Sequence, residues 1–132
     1  ESANAFAKKT GCNVASNTEA VKNANYVGIF MKIIIVGCGK IGSSIATELN
    51  NENHEIVVVD IDHEAVSNLS NSLDILGIEG NGATYDVLME AGVDTADLLV
   101  AATALDEINI YTCLMAKSAG VSNTIAKIKY PK

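Results

Sequence analysis

The sequence has no tryptophan or arginine, and among its 132 residues it has only one proline and two phenylalanines. No uninterrupted apolar run approaches the ~18 residues of a membrane-spanning helix, which predicts a soluble protein. Residues 1–30 do not read as a secretory signal, because no basic start precedes an apolar block and a cleavage site. The nine cationic side chains are all lysines and the net charge is −7, which argues against a nucleic-acid partner. Small molecules and other proteins are therefore the expected partners.

The three cysteines, Cys12, Cys38 and Cys113, are odd in number and lack CxxC spacing. This pattern favours reduced thiols in a cytoplasm over a disulfide framework. For Cys38, packing beside a turn is a better interpretation than redox chemistry, since no partner cysteine or catalytic base is nearby in sequence.

Charge divides the chain at Met31. Residues 1–30 hold three lysines and two glutamates, whereas residues 31–132 hold six lysines and fourteen acids. The length suits one ordinary domain. We therefore separate an N-terminal extension or fused fragment, residues 1–30, from a nucleotide-binding domain, residues 31–132.

Beyond Met31, short aliphatic runs alternate with segments of helical periodicity. Aliphatic runs that end in glycine or acids indicate strands buried on both faces, as in parallel sheets. The pattern predicts strands over 32–37, 54–62, 74–80, 95–103 and 124–130, and helices over 40–53, 63–72, 84–93 and 106–120. Thr84 is the expected N-cap of the third helix, and Gly120 should close the fourth. This order predicts a doubly wound, parallel α/β sheet of the Rossmann type.

A glycine motif, Gly37-Cys38-Gly39-Lys40-Ile41-Gly42, follows the first of these strands and opens a helix. Gly37 would permit the sharp turn, Gly39 would let a pyrophosphate approach, and Gly42 would let the helix pack against the strand. The anion would then face the free N–H groups and the positive end of the helix. Lys40 could reach a terminal phosphate, or equally could be a solvated side chain of the first turn.

Asp60 ends the second strand, eighteen residues beyond Gly42, where a carboxylate can accept hydrogen bonds from both ribose hydroxyls. The same charge repels a 2′-phosphate, which disfavours NADP relative to NAD or an adenine nucleotide.

Two further loops follow strands, at the edge where ligands bind in open α/β sheets. In Gly80-Asn81-Gly82-Ala83-Thr84, small side chains would let an adenine approach and Asn81 could bond it, although a plain turn with a helix cap is the alternative. In the loop over 102–107, Ala102 and Thr103 would lie beside the phosphates. Asp106 and Glu107 could simply be favourable charges in the first turn of a helix.

Groups for catalysis are not apparent. His54 and His63 are expected to be solvent-facing loop residues, and no nucleophile triad or metal-ligand cluster has useful spacing. A dehydrogenase would also need a substrate-holding domain. The sequence therefore predicts a binding protein and not an enzyme.

A family resemblance follows from the acidic strand end, the GNGAT loop, the EAGV-xx-AD segment and the AAT-xx-DE-N helix start. In these landmarks, Met31 to Pro131 resembles the KTN or RCK N-terminal domain, the nucleotide-binding regulatory domain of Trk/Ktr-type potassium uptake systems. The resemblance implies a cytoplasmic module, peripheral to the membrane, that binds NAD(H) or ATP/ADP. It also implies that the module passes nucleotide occupancy to a membrane potassium channel through a dimer or ring.

The resemblance carries the family's nucleotide contacts to positions in all the loops described above: Gly37, Gly39, Lys40, Ile41, Gly42, Asp60, Ile61, Asn81, Gly82, Ala102 and Thr103. Cys38 is included as part of the same loop. Two departures stand out: many relatives have an aspartate where this chain has Asn81-Gly82, and the sequence is expected to lack the C-terminal ligand-binding domain of a full regulator.

The first thirty residues are similar to the middle of the Rossmann domain in pyrroline-5-carboxylate reductases, in which an NTEAVKNA-like helix precedes an apolar strand. The segment predicts a short strand at CNVAS (12–16), a helix at NTEAVKNA (17–24) and a strand at NYVGIF (25–30). A chimera, natural or artificial, would explain the charge shift at Met31, and an ordinary N-terminal extension is the alternative. Exchange of this unit between chains predicts a homodimer or higher oligomer.

Three functions stay open on sequence alone. The first is a nucleotide-sensing regulatory domain for potassium transport. The second is the cofactor-binding half of an NAD-dependent oxidoreductase, and the third is a chimera of two Rossmann fragments in which nucleotide binding is incidental.

Overall fold

The computed structural model describes residues 10–16 and 30–129. Its strands are β1 (Asn13–Ala15), β2 (Lys32–Val36), β3 (Glu55–Asp60), β4 (Leu76–Glu79), β5 (Leu98–Ala101) and β6 (Asn123–Lys127). Its helices are α1 (Lys40–Asn50), α2 (His63–Leu73), α3 (Tyr85–Glu90) and α4 (Asp106–Ser118), with a 3₁₀ turn at Val93–Thr95.

The six strands form one parallel sheet in the order β1-β6-β5-β2-β3-β4. The order reverses between β2 and β5, which makes their carboxyl ends the switch point where doubly wound sheets bind ligands. If β2 is counted as the first strand of a doubly wound sheet, β1 lies where the sixth would be. The sequence prediction of a Rossmann-like fold is confirmed.

The core divides into two layers because successive side chains of a strand point to opposite faces. Ile33 and Ile35 pack on one face with residues of α1 and α2, whereas Ile34 and Val36 pack on the other with residues of α3 and α4. All four strand side chains are at most 2% exposed. Both faces are thus apolar, which explains why these strands read as unbroken aliphatic runs.

Two of the helices, α3 and α4, are followed by glycines with positive φ. The third helix is shorter than predicted, since α3 ends at Glu90 and Gly92 has φ +91°, after which the chain makes a 3₁₀ turn. Gly120, with φ +105°, closes α4 as expected. Its N–H bonds the carbonyl of Lys117, and the N–H of Val121 bonds that of Ala116, which is the Schellman arrangement.

The short strand predicted at CNVAS is present as β1 and lies at the edge of the sheet. Residues Asn13 to Ala15 pair with Ile125 to Lys127, and the N–H of Ile128 donates to the carbonyl of Ala15 at 2.8 Å. The helix predicted at 17–24 lies outside the described residues, as does the strand predicted at 25–30 except for Phe30. Strand β2 itself begins at Lys32.

His54 is not the solvent-facing residue that the sequence suggested, because it is only 7% exposed. Its Nδ1 accepts a hydrogen bond from the N–H of Met31 at 3.0 Å. Its Nε2 is buried without a hydrogen-bond partner, 3.8 Å from a carboxylate oxygen of Glu52. The ring therefore supplies a hydrogen-bond acceptor for the main-chain N–H of Met31, just before β2. His63, in contrast, is exposed as expected.

None of the helices in the described part of the chain is both long enough and apolar enough to span a membrane.

Candidate functional site

A cleft of about 460 Å³ opens at the carboxyl ends of β2, β3 and β5. Its walls come from the glycine loop after β2 and from the loops that follow β3, β4 and β5. The lining residues are Val36, Gly37, Gly39, Val59, Asp60, Ile61, Gly80, Asn81, Gly82, Ala102, Thr103, Ala104, Leu105 and Ile108.

The glycine loop is held close to its neighbours. Gly37 has φ +109°, and a Cβ there would lie 2.7 Å from the carbonyl of Ala102. A Cβ on Gly42 would overlap the carbonyl oxygen of Gly37. Both glycines therefore allow close backbone approach, between β2 and the β5 loop at Gly37 and between α1 and its own loop at Gly42.

Gly39 has the opposite surroundings, because a Cβ built on it meets nothing within 4 Å. It is the N-cap of α1, it provides no side-chain cap, and the first turn of α1 carries no acid. The N–H groups at this helix start and the positive end of the helix dipole are thus left for an anion. Open space around Gly39, at the N-terminus of an 11-residue helix, is the geometry expected of a phosphate-binding site.

Asp60 connects the end of β3 to the glycine loop. Its Oδ2 accepts the N–H of Cys38 at 2.7 Å, and its Oδ1 accepts the N–H of Asp62 at 3.0 Å. A carboxylate has about four acceptor positions, so each oxygen retains one. Those two positions suit a pair of hydroxyl donors, such as a ribose diol, at the lip of the cleft.

A second acid lies beside Asp60. Glu79 ends β4 at the position paired with Asp60, and its Oε1 lies 2.9 Å from Nδ1 of His63. Asp62 caps α2 by accepting the N–H groups of Glu64 and Ala65. This edge of the cleft is therefore rich in carboxylates, which disfavours a further phosphate there.

Asn81 shapes the loop after β4. Its Oδ1 accepts the N–H of Ala83 at 2.9 Å, and its carbonyl accepts both the N–H and the hydroxyl of Thr84. Thr84 is the N-cap of α3, as predicted, but its hydroxyl bonds back to Asn81 and does not cap the helix. The Nδ2 of Asn81 is left to donate to a base.

Thr103 lies in the loop after β5, and Asn109 of α4 holds that loop. The Oδ1 of Asn109 accepts both the N–H and the hydroxyl of Thr103, at 2.9 and 2.7 Å. Its Nδ2 donates to the carbonyls of Thr103 and Lys127, at 3.1 and 2.9 Å. Asn109 is fully buried, so all of its hydrogen-bonding capacity is spent on these two main-chain segments.

Cys38 packs within the loop and is 6% exposed. Burial, followed by the charges of Asp60 and Asp62, raises the pKa of its thiol to about 12. The thiol therefore stays protonated at neutral pH, which supports a packing role, since the thiolate is the reactive form. Burial likewise raises the pKa of Cys113.

The structure brings most of the predicted site residues to the cleft but not all of them. Those that line it are Gly37, Gly39, Asp60, Ile61, Asn81, Gly82, Ala102 and Thr103, whereas Cys38, Lys40, Ile41 and Gly42 do not. Lys40 is exposed and takes part in neither of the two ion pairs found among residues 10–16 and 30–129. Nucleotide contacts at all twelve positions stay predictions.

Sequence reasoning missed three kinds of site residue. Leu105 and Ile108 contribute apolar side chains to the wall of the cleft, and Glu79 places a second carboxylate near Asp60. Asn109 was noted only as part of a helix-start motif. An asparagine in the buried stripe of α4, together with Thr112, Cys113 and Ala116, was the available signal, because a buried amide needs several partners.

Within the described ranges, no group of three or more His, Cys, Asp or Glu side chains is arranged to hold a metal ion. Asp60 is the sole ionisable side chain among the described residues that line the cleft.

Comparison with known proteins gives one family. The model of the TrkA-N domain matches residues 33–132. The Trk system potassium uptake protein TrkA homolog of Archaeoglobus fulgidus is 36% identical over 102 residues, which are 77% of this chain and 23% of that protein. The chain spans about a fifth to a quarter of the length of the curated relatives it matches.

Two solved structures share the fold. The TrkA-N domain of the inner membrane protein ybaL from Escherichia coli gives a TM-score of 0.51 at 17% identity, covering 74% of this chain and 88% of that one. The Bordetella bronchiseptica enzyme WbmG, solved with NAD and UDP, gives 0.57 at 22% identity, covering 74% and 37%.

Proposed function

The chain belongs to the TrkA-N domain family, and we propose that it is a cytoplasmic, nucleotide-binding regulatory domain of a potassium transport system. The name of the relative from Archaeoglobus fulgidus supports the transport assignment. The cleft at the switch point supports nucleotide binding, because it combines an open helix start with a carboxylate that is hydrogen-bonded to the same loop.

The position of Asp60 carries the proposal. Its carboxylate is fixed by two main-chain N–H groups and lines the cleft with two acceptor positions unused. A ribose diol would fill those positions, and the attached phosphate would then reach the N–H groups at Gly39 and the start of α1. The base would lie between Ile61 and the Asn81 loop.

The proposed ligand is an adenosine nucleotide of the NAD(H) or ATP/ADP type. Both contain the adenosine ribose and an α-phosphate, which are the parts that Asp60 and Gly39 would contact. NADP is disfavoured, since its 2′-phosphate would meet the charges of Asp60 and Glu79. The nucleotide contacts proposed are those at Gly37, Cys38, Gly39, Lys40, Ile41, Gly42, Asp60, Ile61, Asn81, Gly82, Ala102 and Thr103.

The proposal assigns binding and no catalysis. Both oxygens of Asp60, the sole ionisable side chain among the described residues that line the cleft, are already engaged by main-chain N–H groups. The partner proposed is a membrane potassium channel subunit, reached through a homodimer or higher homo-oligomer. Exchange of residues 1–30 between chains is a further part of the proposal.

Ligand titration tests the binding assignment. The purified chain is heated with NADH, NAD⁺, ADP, ATP and NADPH in turn, and Kd is measured by calorimetry for each nucleotide that raises the melting temperature. A ligand at 100 times its Kd adds about 2.7 kcal/mol of stability. We expect at least one of the first four to bind and NADPH to bind more weakly than NADH.

Glu48→Gln is a matched control, because it removes one negative charge from an exposed position of α1. It should leave Kd unchanged, whereas Asp60→Asn should weaken binding. If the folded protein responds to none of the nucleotides, the proposed function is wrong.

A further inference from the structure

We propose that Asn109 is a positioning residue that couples nucleotide occupancy of the cleft to the chain that leaves β6. This inference rests on the proposed function, because it concerns how the same cleft signals to the rest of a longer protein. The cleft side of the coupling is the Thr103 loop, and the output side is the main chain of residues 127–129.

Asn109 contacts both sides with one amide group. Its Oδ1 fixes the N–H and hydroxyl of Thr103, and its Nδ2 is shared between the carbonyls of Thr103 and Lys127. Thr103 lines the cleft and Lys127 ends β6. A shift of either carbonyl would lengthen a hydrogen bond from a fully buried donor group, so the two segments are expected to move together.

A second connection runs in parallel. Both carboxylate oxygens of Asp106, at the start of α4, accept the N–H of Lys129, at 3.0 and 3.2 Å. The N–H of Ile128, between these two anchors, donates to Ala15 of β1. The exit of β6 is thus held by α4 on one side and by the N-terminal strand on the other.

The cleft loop at Thr103 and the end of β6 at Lys127 are therefore connected by the hydrogen bonds of Asn109. A nucleotide that contacts the 102–105 loop would restrict Thr103, and through Asn109 it would restrict Lys127 and the N–H groups of Ile128 and Lys129. By thermodynamic linkage, anything that displaces the exit segment or β1 should weaken nucleotide binding by the same factor. The coupling gives the domain an output that does not require the sheet to change shape.

Hydrogen exchange on the wild-type chain is the first test. Exchange of the Ile128 and Lys129 amides is followed with and without saturating NADH, and again with ADP. We expect the nucleotide that binds to slow exchange of both amides. Binding without any change at these two amides would overturn the inference but leave the proposed function intact. If neither NADH nor ADP binds, the experiment is repeated with NAD⁺ and ATP. Absence of binding by all four would refute the proposed function, and with it the coupling that depends on that function.

Substitution supplies the second test. Asn109→Leu keeps the side-chain size but removes the bridge, and we expect Kd to rise about tenfold, within the range of measured site-to-site couplings. We also expect the nucleotide-dependent slowing at residues 128 and 129 to disappear at saturating ligand. A purely structural role would lower the melting temperature yet leave that slowing in place.

Thr112→Val is the matched control, because Thr112 lies one turn further along α4, is fully buried and has a hydroxyl without a hydrogen-bond partner. It should change neither Kd nor the exchange response. If Asn109→Leu does not fold, the milder Asn109→Ser replaces it, and the wild-type exchange experiment decides the matter without any variant.

Discussion

The carboxylate of Asp60 accepts the main-chain N–H of Cys38 at 2.7 Å, across 22 residues of sequence. This bond joins the end of β3 to the glycine loop after β2, and the N–H of Gly37, which donates to Val59 at 2.7 Å, reinforces it. The group expected to recognise ribose thus also fixes the loop expected to hold phosphate. Binding and local structure are therefore linked at one side chain.

Substitution of Asp60 should reduce both nucleotide affinity and stability. In Asp60→Ala the partly buried N–H of Cys38 loses its acceptor, at a cost of about 1–3 kcal/mol in the free energy of unfolding. Affinity should fall by roughly 100-fold, because each hydrogen bond to a charged acceptor contributes about 1.5–3 kcal/mol. Denaturant unfolding and calorimetry measure the two effects separately. An unchanged Kd in the folded variant would remove Asp60 from the site.

Alanine at two glycines of the same loop should separate binding from folding. Gly39 has φ −77° and open space around it, so Gly39→Ala should keep the stability within about 1 kcal/mol. Its new methyl group would nevertheless stand where a pyrophosphate approaches, and Kd should rise at least about tenfold.

Gly42→Ala should behave in the opposite way. A Cβ there overlaps the carbonyl oxygen of Gly37, which forces α1 away from its loop and should destabilise the fold by about 1–3 kcal/mol. Thermal unfolding of the two variants side by side checks the contrast. Equal stability losses would mean that the loop geometry described here is wrong.

Discrimination against a 2′-phosphate should depend on charge. At about 4 Å, a carboxylate and a phosphate charge repel each other by roughly 1 kcal/mol in water and roughly 4 kcal/mol near a protein surface. The Kd of NADPH should therefore be at least about 10-fold higher than that of NADH. Glu79→Gln should lower the ratio of the Kd of NADPH to the Kd of NADH, and added salt should lower that ratio further.

Asp94→Asn removes an exposed charge from the 3₁₀ turn before β5, and it should leave the NADPH to NADH ratio unchanged. If Glu79→Gln leaves this ratio of Kd values unchanged, Glu79 does not contribute to the discrimination against NADPH, and Asp60 alone would account for it.

Cys38 should resist alkylation in the folded protein. Because its pKa is raised to about 12 from an ordinary value of 9.0, the thiol stays protonated between pH 7 and 9. Deprotonation favours the unfolded state once the pH exceeds 9, so this group contributes stability that is lost as pH rises from about 9 toward 12.

Iodoacetamide labelling, followed by mass spectrometry at pH 7, 8 and 9, measures the reactivity. Rapid labelling of Cys38 in the native state, at the rate seen in denaturant, would contradict the buried position.

Local patterns in the sequence predicted the sheet, the glycine loop and the position of Asp60, because strand runs, glycine spacing and strand-end acids are short-range signals. The turn at Gly92 was missed, because the helical pattern over 84–93 continued through this residue and did not indicate that its φ would be positive. His54 and Asn109 could not be placed, because their partners Met31 and Lys127 lie 23 and 18 residues away. Tertiary contacts alone reveal that these two polar side chains are buried and satisfy main-chain groups.

We propose above all that the cleft holds an adenosine nucleotide through Asp60 and the start of α1. A crystal structure of the chain with the nucleotide that titrates most tightly tests it directly. We expect ribose hydroxyls within hydrogen-bond distance of Asp60 and a phosphate at the N–H groups beside Gly39. A nucleotide bound elsewhere, or an empty cleft at a saturating concentration, would contradict it.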